Sequence, residues 1–139
     1  MDESLLDTDI FSELLRAKNS AVLGKGKDYL RQFGHYTISA ITVVELVRGF
    51  QKDGRTDRID SLVKSLTLHE VLSLDQDTAV IAGIISGRLQ RSGQSIGHAD
   101  PLIAAMAIHH DLTLITGNTA HFERIVLLGF PLRLDNWRA

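Results

Sequence analysis

The sequence contains no cysteine, which excludes disulfide bonds, a thiol nucleophile and a zinc–thiolate site. No apolar stretch approaches the roughly 20 residues that a membrane span requires. No basic N-terminal segment leads into an apolar run, as it would in a secretory signal. We therefore expect a cytoplasmic protein with no membrane association.

An excess of charge of one sign is also missing. The chain carries 15 basic and 17 acidic residues, and its net charge is −2. That balance lacks the basic excess typical of many nucleic-acid-binding domains. It does not exclude such a function, because a bound divalent cation would offset most of the charge of an acidic cluster.

Internal repeats, low-complexity tracts and linkers are absent, and 139 residues are enough for one domain with a substantial core. We therefore expect a single domain over residues 1–139. Short apolar runs alternate with helical patterns along the chain. This alternation predicts an α/β fold, a three-layer sandwich with a mostly parallel central sheet flanked by helices.

The predicted elements follow from hydrophobic periodicity and from β-branched runs. Helices are expected from just after Asp7 to about residue 18 and over 22–33, 43–51, 55–66, 75–91 and 101–110, with a short helix over 119–122. Strands are expected over 36–39, 71–74, 112–116 and 132–134. An apolar pair at residues 5 and 6 precedes the first helix.

In parallel sheets the chemistry gathers beyond the carboxyl ends of the strands. Polar residues that follow the predicted strands or begin a helix at this edge are Asp7, Asp9, Thr42, Glu45, Asp100 and Asn118. These residues are therefore the first candidates for a functional site.

Each of three acids in this set has a capping explanation when it is considered alone. Asp7 is a suitable N-cap for the first helix. Thr42 and Glu45 have the spacing of a capping box, with Thr42 as the N-cap. Asp100 precedes Pro101, which suits the first position of a helix. Both the capping role and a functional role remain open for each acid.

The joint occurrence of Asp7, Glu45 and Asp100 favours a metal site. Glu45 lies in an apolar stretch, where a carboxylate needs a cation or several hydrogen-bond donors. Converging carboxylates without a metal repel each other and have raised pKa values. With Mg²⁺ or Mn²⁺ they form an all-oxygen site. Such an ion polarises a phosphoryl oxygen and lowers the pKa of a bound water, which is the chemistry of phosphodiester hydrolysis.

Four segments resemble the ordered motifs of PIN domains, and the chain end resembles the tail of VapC toxins. The segments are LLDTD at 5–9, ISAITVVELVRG at 38–49, IGHADPLIAA at 96–105, TGNTAHF at 116–122 and LRLDNW at 132–137. They occur in family order and at family spacing over nearly the whole chain. Because of these segments, the chain resembles a VapC-type PIN domain.

The resemblance implies a single-strand-selective RNA endonuclease that depends on Mg²⁺ or Mn²⁺. Asp7, Glu45 and Asp100 match the metal-binding acids of the family. Asn118 matches a fourth catalytic position, which is acidic in many PIN domains. The resemblance also implies a homodimer and inhibition by a VapB-type antitoxin.

Further positions match or depart from the family pattern. Asp9, Ser39, Thr42 and His121 match positions that support the site or contact RNA. Gly117 stands where relatives often have arginine, and Asp9 stands where asparagine is common. The site is therefore expected to lack one basic group and to carry one additional negative charge.

Three alternatives compete with an active nuclease. Asp7 and Asp9 form the Asp-x-Asp pair of haloacid-dehalogenase-type phosphatases, but Phe11 stands where those enzymes have Thr or Val. A receiver-like domain would need a lysine after the last core strand, and residues 115–117 supply none. A PIN fold that only binds its antitoxin or RNA is the third alternative.

A basic region precedes and includes the fourth predicted helix, at Arg48, Lys52, Arg55, Arg58 and Lys64. It can guide RNA phosphates towards the metal. Interspersed Asp53, Asp57 and Asp60 favour a solvated helix face instead.

The pair His109-His110 with Asp111 has the residue types of a metal site. However, adjacent side chains on a helix point in different directions. The two histidines are therefore interpreted as favourable residues at a helix C-terminus.

Overall fold

The computed structural model describes residues 1–139 as seven α-helices around five short strands. The strands are β1 (Ser4–Leu6), β2 (Thr37–Ser39), β3 (Glu70–Leu72), β4 (Thr113–Ile115) and β5 (Leu134–Asp135). The helices are α1 (Thr8–Arg16), α2 (Ser20–Phe33), α3 (Ala40–Lys52), α4 (Thr56–Ser65), α5 (Gln76–Arg91), α6 (Ala99–His109) and α7 (Thr119–Leu127). A membrane-crossing helix is absent, since none of the seven combines the necessary length and hydrophobicity.

All paired strands are parallel. β1 pairs with β4, and β4 pairs with β5 at its other edge. β2 pairs with β3 and lies alongside β1, although no continuous hydrogen-bonded ladder joins β1 to β2. The predicted parallel central layer is therefore confirmed.

Alternation along the strands separates two apolar cores. Leu5 and Leu114 contribute to one core, together with buried residues of α5, α6 and α7. Leu6 and Ile115 contribute to the other, together with buried residues of α1, α2, α3 and α4. Because successive strand side chains point to opposite faces, the sheet separates two helical layers. This arrangement is the predicted three-layer α/β sandwich.

The helix starts confirm one predicted cap and correct two. Asp7 is the N-cap of α1, and its side chain accepts a hydrogen bond from the Thr8 N–H. The Thr42–Glu45 capping box is wrong, because α3 begins earlier and its N-cap is Ser39. The predicted Asp100 cap is also wrong, because α6 begins at Ala99. Glu45 and Asp100 therefore lie within helices and make no N-cap.

Two further expectations about helix ends are wrong. The last helix continues to Leu127 instead of ending near residue 122. Its apolar residues at 125–128 are consecutive, so periodicity does not distinguish helix from strand there. His109 and His110 do not point apart: their ligating atoms and an oxygen of Asp75 all lie within 4.8 Å of one another. Their predicted place at a helix C-terminus is confirmed, because His109 ends α6 and His110 is its C-cap residue.

The C-terminal tail is anchored by Trp137, which is 1% exposed. Its ring lies 5.8 Å from the ring of Tyr29 on α2. The burial of this aromatic side chain fixes the path of the last residues of the chain. As a result Arg138 lies over the edge of the sheet where β1 and β4 end.

Candidate active site

The sheet places the sequence-predicted acids at one edge, each on a different element. Asp7 follows β1 directly, Glu45 lies in the second turn of α3, and Asp100 is the second residue of α6. Asp9 lies in the first turn of α1. The charges of Asp9 and Asp100 raise the pKa of Asp7, and those of Glu45 and Asp9 raise the pKa of Asp100. These acids therefore lie near one another at this edge, although no three of them bring oxygens within 4.8 Å of one another.

Asp7 is the most buried acid of the cluster. Its backbone N–H donates to the Ile115 carbonyl at 2.8 Å, which extends the β1–β4 pairing. One carboxylate oxygen accepts from the Thr8 N–H, and the other accepts from the Thr116 hydroxyl at 2.8 Å. Burial, followed by the charge of Asp9, raises the pKa of Asp7 from 3.8 to about 7.

A chain of hydroxyl groups leads to Glu45. The Thr8 hydroxyl donates to Glu45 Oε1 at 2.6 Å. Since that hydroxyl has only one proton, Thr42 must donate to Thr8 across their 2.9 Å contact. Ser39 donates in turn to Thr42 at 3.4 Å, and its oxygen accepts the Thr42 N–H. All donors point towards Glu45, so Ser39 and Thr42 support this carboxylate indirectly.

Asp100 faces His121 across the edge of the sheet. His121 Nδ1 lies 2.7 Å from Asp100 Oδ2, and both side chains are about three-quarters buried. Burial raises the pKa of Asp100, while the neighbouring His121 opposes that shift. The pair joins α6 to the first turn of α7, and it fixes the carboxylate of Asp100 at the edge of the cluster.

Asp9 connects the acidic cluster to the C-terminal tail. Its Oδ2 accepts the Gly117 N–H at 2.9 Å and lies 3.3 Å from a guanidinium nitrogen of Arg138. Arg138 also pairs with Glu13 at 3.4 Å. A Cβ at Gly117 would overlap the Arg138 guanidinium and lie 2.7 Å from the Asp9 carboxylate. Arg138 therefore occupies the space that a side chain at position 117 would take.

Asn118 lies at the rim of the cluster, immediately before α7. Its backbone N–H donates to the Thr116 hydroxyl at 3.0 Å. The residue is exposed to solvent. It is close to the acids in the fold, but it makes no side-chain cap for its own helix.

The cluster has the properties of a site for a hard divalent cation. The nearest oxygens of Asp7, Glu45 and Asp100 are not all within 4.8 Å of one another, so direct ligation of one ion by all three would require them to move closer. The buried Asp9 Oδ1 has no hydrogen-bond partner. Burial and then the charge of Asp9 raise the pKa of Asp7, so a cation beside this carboxylate would favour its ionised form. An all-oxygen donor set of this kind fits Mg²⁺ or Mn²⁺.

Three residues that contribute to the cluster were not identified from the sequence as site residues. They are Thr8, Thr116 and Arg138. Thr8 lies between two candidate acids, and Thr116 ends a predicted strand. These positions were the only signals that the sequence offered. Arg138 carries no local signal, because its place depends on the burial of Trp137.

Replacing Thr116 by valine is expected to weaken the binding of a divalent cation by roughly 10- to 100-fold. The change keeps the side-chain shape but removes the hydroxyl that orients the buried Asp7 carboxylate. Thermal-shift titration with Mn²⁺ measures this change. Thr113→Val, at the opposite end of the same strand, is the control and should leave the affinity unchanged. An equal affinity for Thr116→Val and wild type would contradict the orienting role of Thr116.

Comparison with known proteins is consistent with this fold and cluster. The PIN-domain profile matches residues 4–127. A tRNA(fMet)-specific endonuclease VapC of Shigella flexneri is 31% identical over 134 residues, which cover 96% of each chain. Ribonuclease VapC2 of Haemophilus influenzae is 29% identical over the same share of each chain. The VapBC complex of Salmonella typhimurium, crystallised bound to DNA, has a similar chain with 28% identity over 99% of each and a TM-score of 0.80.

The chain belongs to the PIN-domain family. Within that family, its similarity to VapC toxins extends over nearly the whole of both chains. The phosphatase and receiver alternatives are not supported, because the four segments that suggested a PIN domain now lie within the matched residues. The first segment, at 5–9, and the fourth, at 116–122, both lie at the edge of the sheet where β1 and β4 end.

Proposed function

We propose that this protein is a metal-dependent, single-strand-selective RNA endonuclease and the toxin of a type II toxin–antitoxin pair. A group of carboxylates around the buried Asp7 carries this proposal. Its central member is Asp7, whose pKa is raised to about 7 by burial and by neighbouring acids. Relatives named as VapC ribonucleases support RNA as the substrate.

Asp7, Glu45 and Asp100 would hold the ion, which we propose to be Mg²⁺ or Mn²⁺. When bound, such an ion polarises the scissile phosphate and lowers the pKa of a water that attacks it. The hydroxyl chain through Thr8 holds Glu45 in one orientation. Thr116 does the same for Asp7. These donors fix the directions of the two carboxylates, whereas direct ligation of one ion by all three acids would require them to move closer together.

Other residues at the edge would act on the substrate and the attacking water. Asn118 takes the fourth catalytic position, where its exposed amide can orient a water. His121 holds Asp100 and lies close enough to the rim to contact RNA. Arg138 supplies a guanidinium beside Asp9, and such a group suits a phosphate oxygen. In this proposal Arg138 replaces the basic group that Gly117 does not provide.

The partners and location of the protein follow from the same proposal. The VapBC complexes among its structural relatives support a VapB-type antitoxin. We also propose a homodimer and action in the cytoplasm, where the RNA substrate is found. One domain over residues 1–139 is supported by the sheet, in which β1 and β5 both pair with β4.

Purified, antitoxin-free protein is expected to cut a pool of structured RNAs when Mg²⁺ or Mn²⁺ is present. Cutting should stop with EDTA and fall by on the order of 10²- to 10³-fold in Glu45→Gln, because a preorganised charge is lost. Asp60→Asn removes an exposed acid of α4 and serves as the matched control. Cleavage is read by sequencing the new RNA ends. Cleavage that persists in EDTA, or that Glu45→Gln leaves intact, would contradict the proposed mechanism.

A further inference from the structure

A second group of metal-ligating side chains lies away from the carboxylate cluster. It consists of Asp75, His109 and His110, which are all exposed. One ligating atom from each lies within 4.8 Å of the other two. Asp75 Oδ2 and His109 Nε2 are 3.7 Å apart, and the two imidazole centroids are 5.0 Å apart.

The packing of α5 against α6 builds this group. The two helices are antiparallel neighbours, so the start of α5 meets the end of α6. Asp75 is the N-cap of α5, and its Oδ1 accepts the Thr78 N–H at 2.8 Å. Its other oxygen is left to face His109. Three side chains are therefore held by helix ends that the core already fixes.

His110 is the C-cap residue of α6, with φ −92° and ψ 4°. Its backbone N–H donates to the Met106 carbonyl at 3.0 Å, so its backbone is held by the last turn of the helix. Its ring lies edge to face with the ring of His109, at a centroid distance of 5.0 Å and an interplanar angle of 80°.

We propose that Asp75, His109 and His110 form a binding site for a transition-metal ion of the Zn²⁺ type. Two imidazoles and one carboxylate are ligands that Zn²⁺ accepts, whereas Mg²⁺ prefers oxygen alone. Ligands of a tetrahedral Zn²⁺ lie about 3.4 Å apart, given Zn–N distances of about 2.0–2.1 Å. The 3.7 Å separation of Asp75 from His109 is already close to that value.

The fourth coordination position can open towards solvent or towards a neighbouring cavity. His110 lines a cavity of about 190 Å³ whose walls also include His35 and Glu70. The side chains of His35 and Glu70 lie 3.5 Å apart. The proposed site therefore borders a cavity with polar side chains in its walls.

The proposed site is separate from the nuclease centre. Asp100 and His109 lie at opposite ends of α6, roughly 14 Å apart at 1.5 Å per residue. An ion at the second site would join the start of α5 to the end of α6. It would therefore stabilise the fold and would not take part in phosphodiester cleavage.

Zn²⁺ titration of untagged full-length protein tests the proposal, with isothermal calorimetry and thermal shift as readouts. The titrations are made in a Glu45→Gln, Asp100→Asn background, so that binding at the carboxylate cluster does not interfere. One equivalent of Zn²⁺ is expected to bind. At 100-fold excess over the dissociation constant, the Tm should rise by roughly 5–10 °C. Co²⁺ should give the visible absorption of a tetrahedral complex.

His109→Ala and His110→Ala should each weaken Zn²⁺ binding at least about tenfold, and Asp75→Asn should do so too. His98→Ala removes an exposed histidine at the other end of α6 and is the control. The proposal would be overturned if both His variants bound Zn²⁺ as tightly as the background protein does. It would also be overturned if the background protein bound no Zn²⁺. RNA cleavage with Mg²⁺ by His109→Ala in the otherwise wild-type chain tests the nuclease centre separately, so the two proposals can fail independently.

Discussion

Asp7→Asn is expected to abolish RNA cleavage and, at the same time, to stabilise the metal-free protein. Loss of the buried carboxylate removes a proposed metal ligand, and activity should fall by on the order of 10³-fold. The metal-free protein gains because the ionised carboxylate is disfavoured by burial and by Asp9. Asparagine keeps the shape of the side chain and can still accept the Thr8 N–H.

The stabilisation depends on pH with a definite sign. The pKa of Asp7 is raised from its ordinary value of 3.8, which applies to the unfolded chain, to about 7 in the folded protein. Between these pH values the folded state therefore binds more protons than the unfolded state. The free energy of unfolding of the metal-free wild type therefore falls as pH rises from about 4 to 7. Asp7→Asn does not lose stability over this pH range. Its gain in free energy of unfolding over wild type is therefore small below pH 4 and greatest above pH 7. A gain on the order of 2–3 kcal/mol, or about 5–10 °C in Tm, is expected at pH 8.

Thermal unfolding in EDTA at pH 4, 6 and 8 measures this difference. Asp60→Asn, which changes an exposed acid, should give the wild-type Tm at every pH. Added Mn²⁺ should raise the Tm of wild type and leave Asp7→Asn unchanged. A metal-free Asp7→Asn protein that is less stable than wild type at pH 8 would show that Asp7 has a structural role and no uncompensated charge.

Trp137→Ala should lower the free energy of unfolding by about 3–5 kcal/mol, the usual cost of removing a buried aromatic side chain. Trp137 is 1% exposed and lies beside Tyr29 in the core on the α1–α2 side of the sheet. The same change should release Arg138 from Asp9 and from the space above Gly117. Chemical denaturation measures the stability, and a retained midpoint would show that the tail is not anchored by Trp137.

Arg138→Ala separates the anchoring of the tail from its chemistry. Arg138 is one-third exposed at a surface ion pair, so its loss should change stability by less than about 1 kcal/mol. RNA cleavage should show a higher KM with a smaller change in kcat, since a phosphate contact contributes to binding. Arg124→Ala on α7 is the matched control. An unchanged KM in Arg138→Ala would contradict the assigned contact with RNA.

The sequence was a good guide where a local pattern determines the structure. Asp7 was placed at the carboxyl end of a strand because an apolar pair precedes it and helical periodicity follows. α5 was predicted over 75–91 and is observed over Gln76–Arg91, since a long periodic segment marks its extent. Glu45 and Asp100 were chosen as site residues, but their capping explanations were wrong by two or three positions. A local capping pattern is therefore a weaker guide to the position of a site residue than the topology of a parallel sheet.

Contacts between distant residues could not be predicted. Thr8 and Glu45 are 37 positions apart, and Arg138 and Glu13 are 125 positions apart. Each of these contacts depends on how distant segments of the chain pack together, which no window of sequence contains. The pairing of Asp75 with His109 is missed for the same reason, although both histidines were noticed. A further error was to assume that adjacent side chains at the end of a helix cannot bring their ligating atoms close together.

The pairing of β1 with β4 has a consequence for a chain that is still being synthesised. Asp7 receives its strand partner from Ile115 and its hydroxyl donor from Thr116, which is 109 positions later. A nascent chain on the ribosome therefore lacks an assembled cutting centre until residues 115 and 116 have been added and have emerged. The order of translation itself delays the appearance of nuclease activity beside the RNAs of the translation machinery.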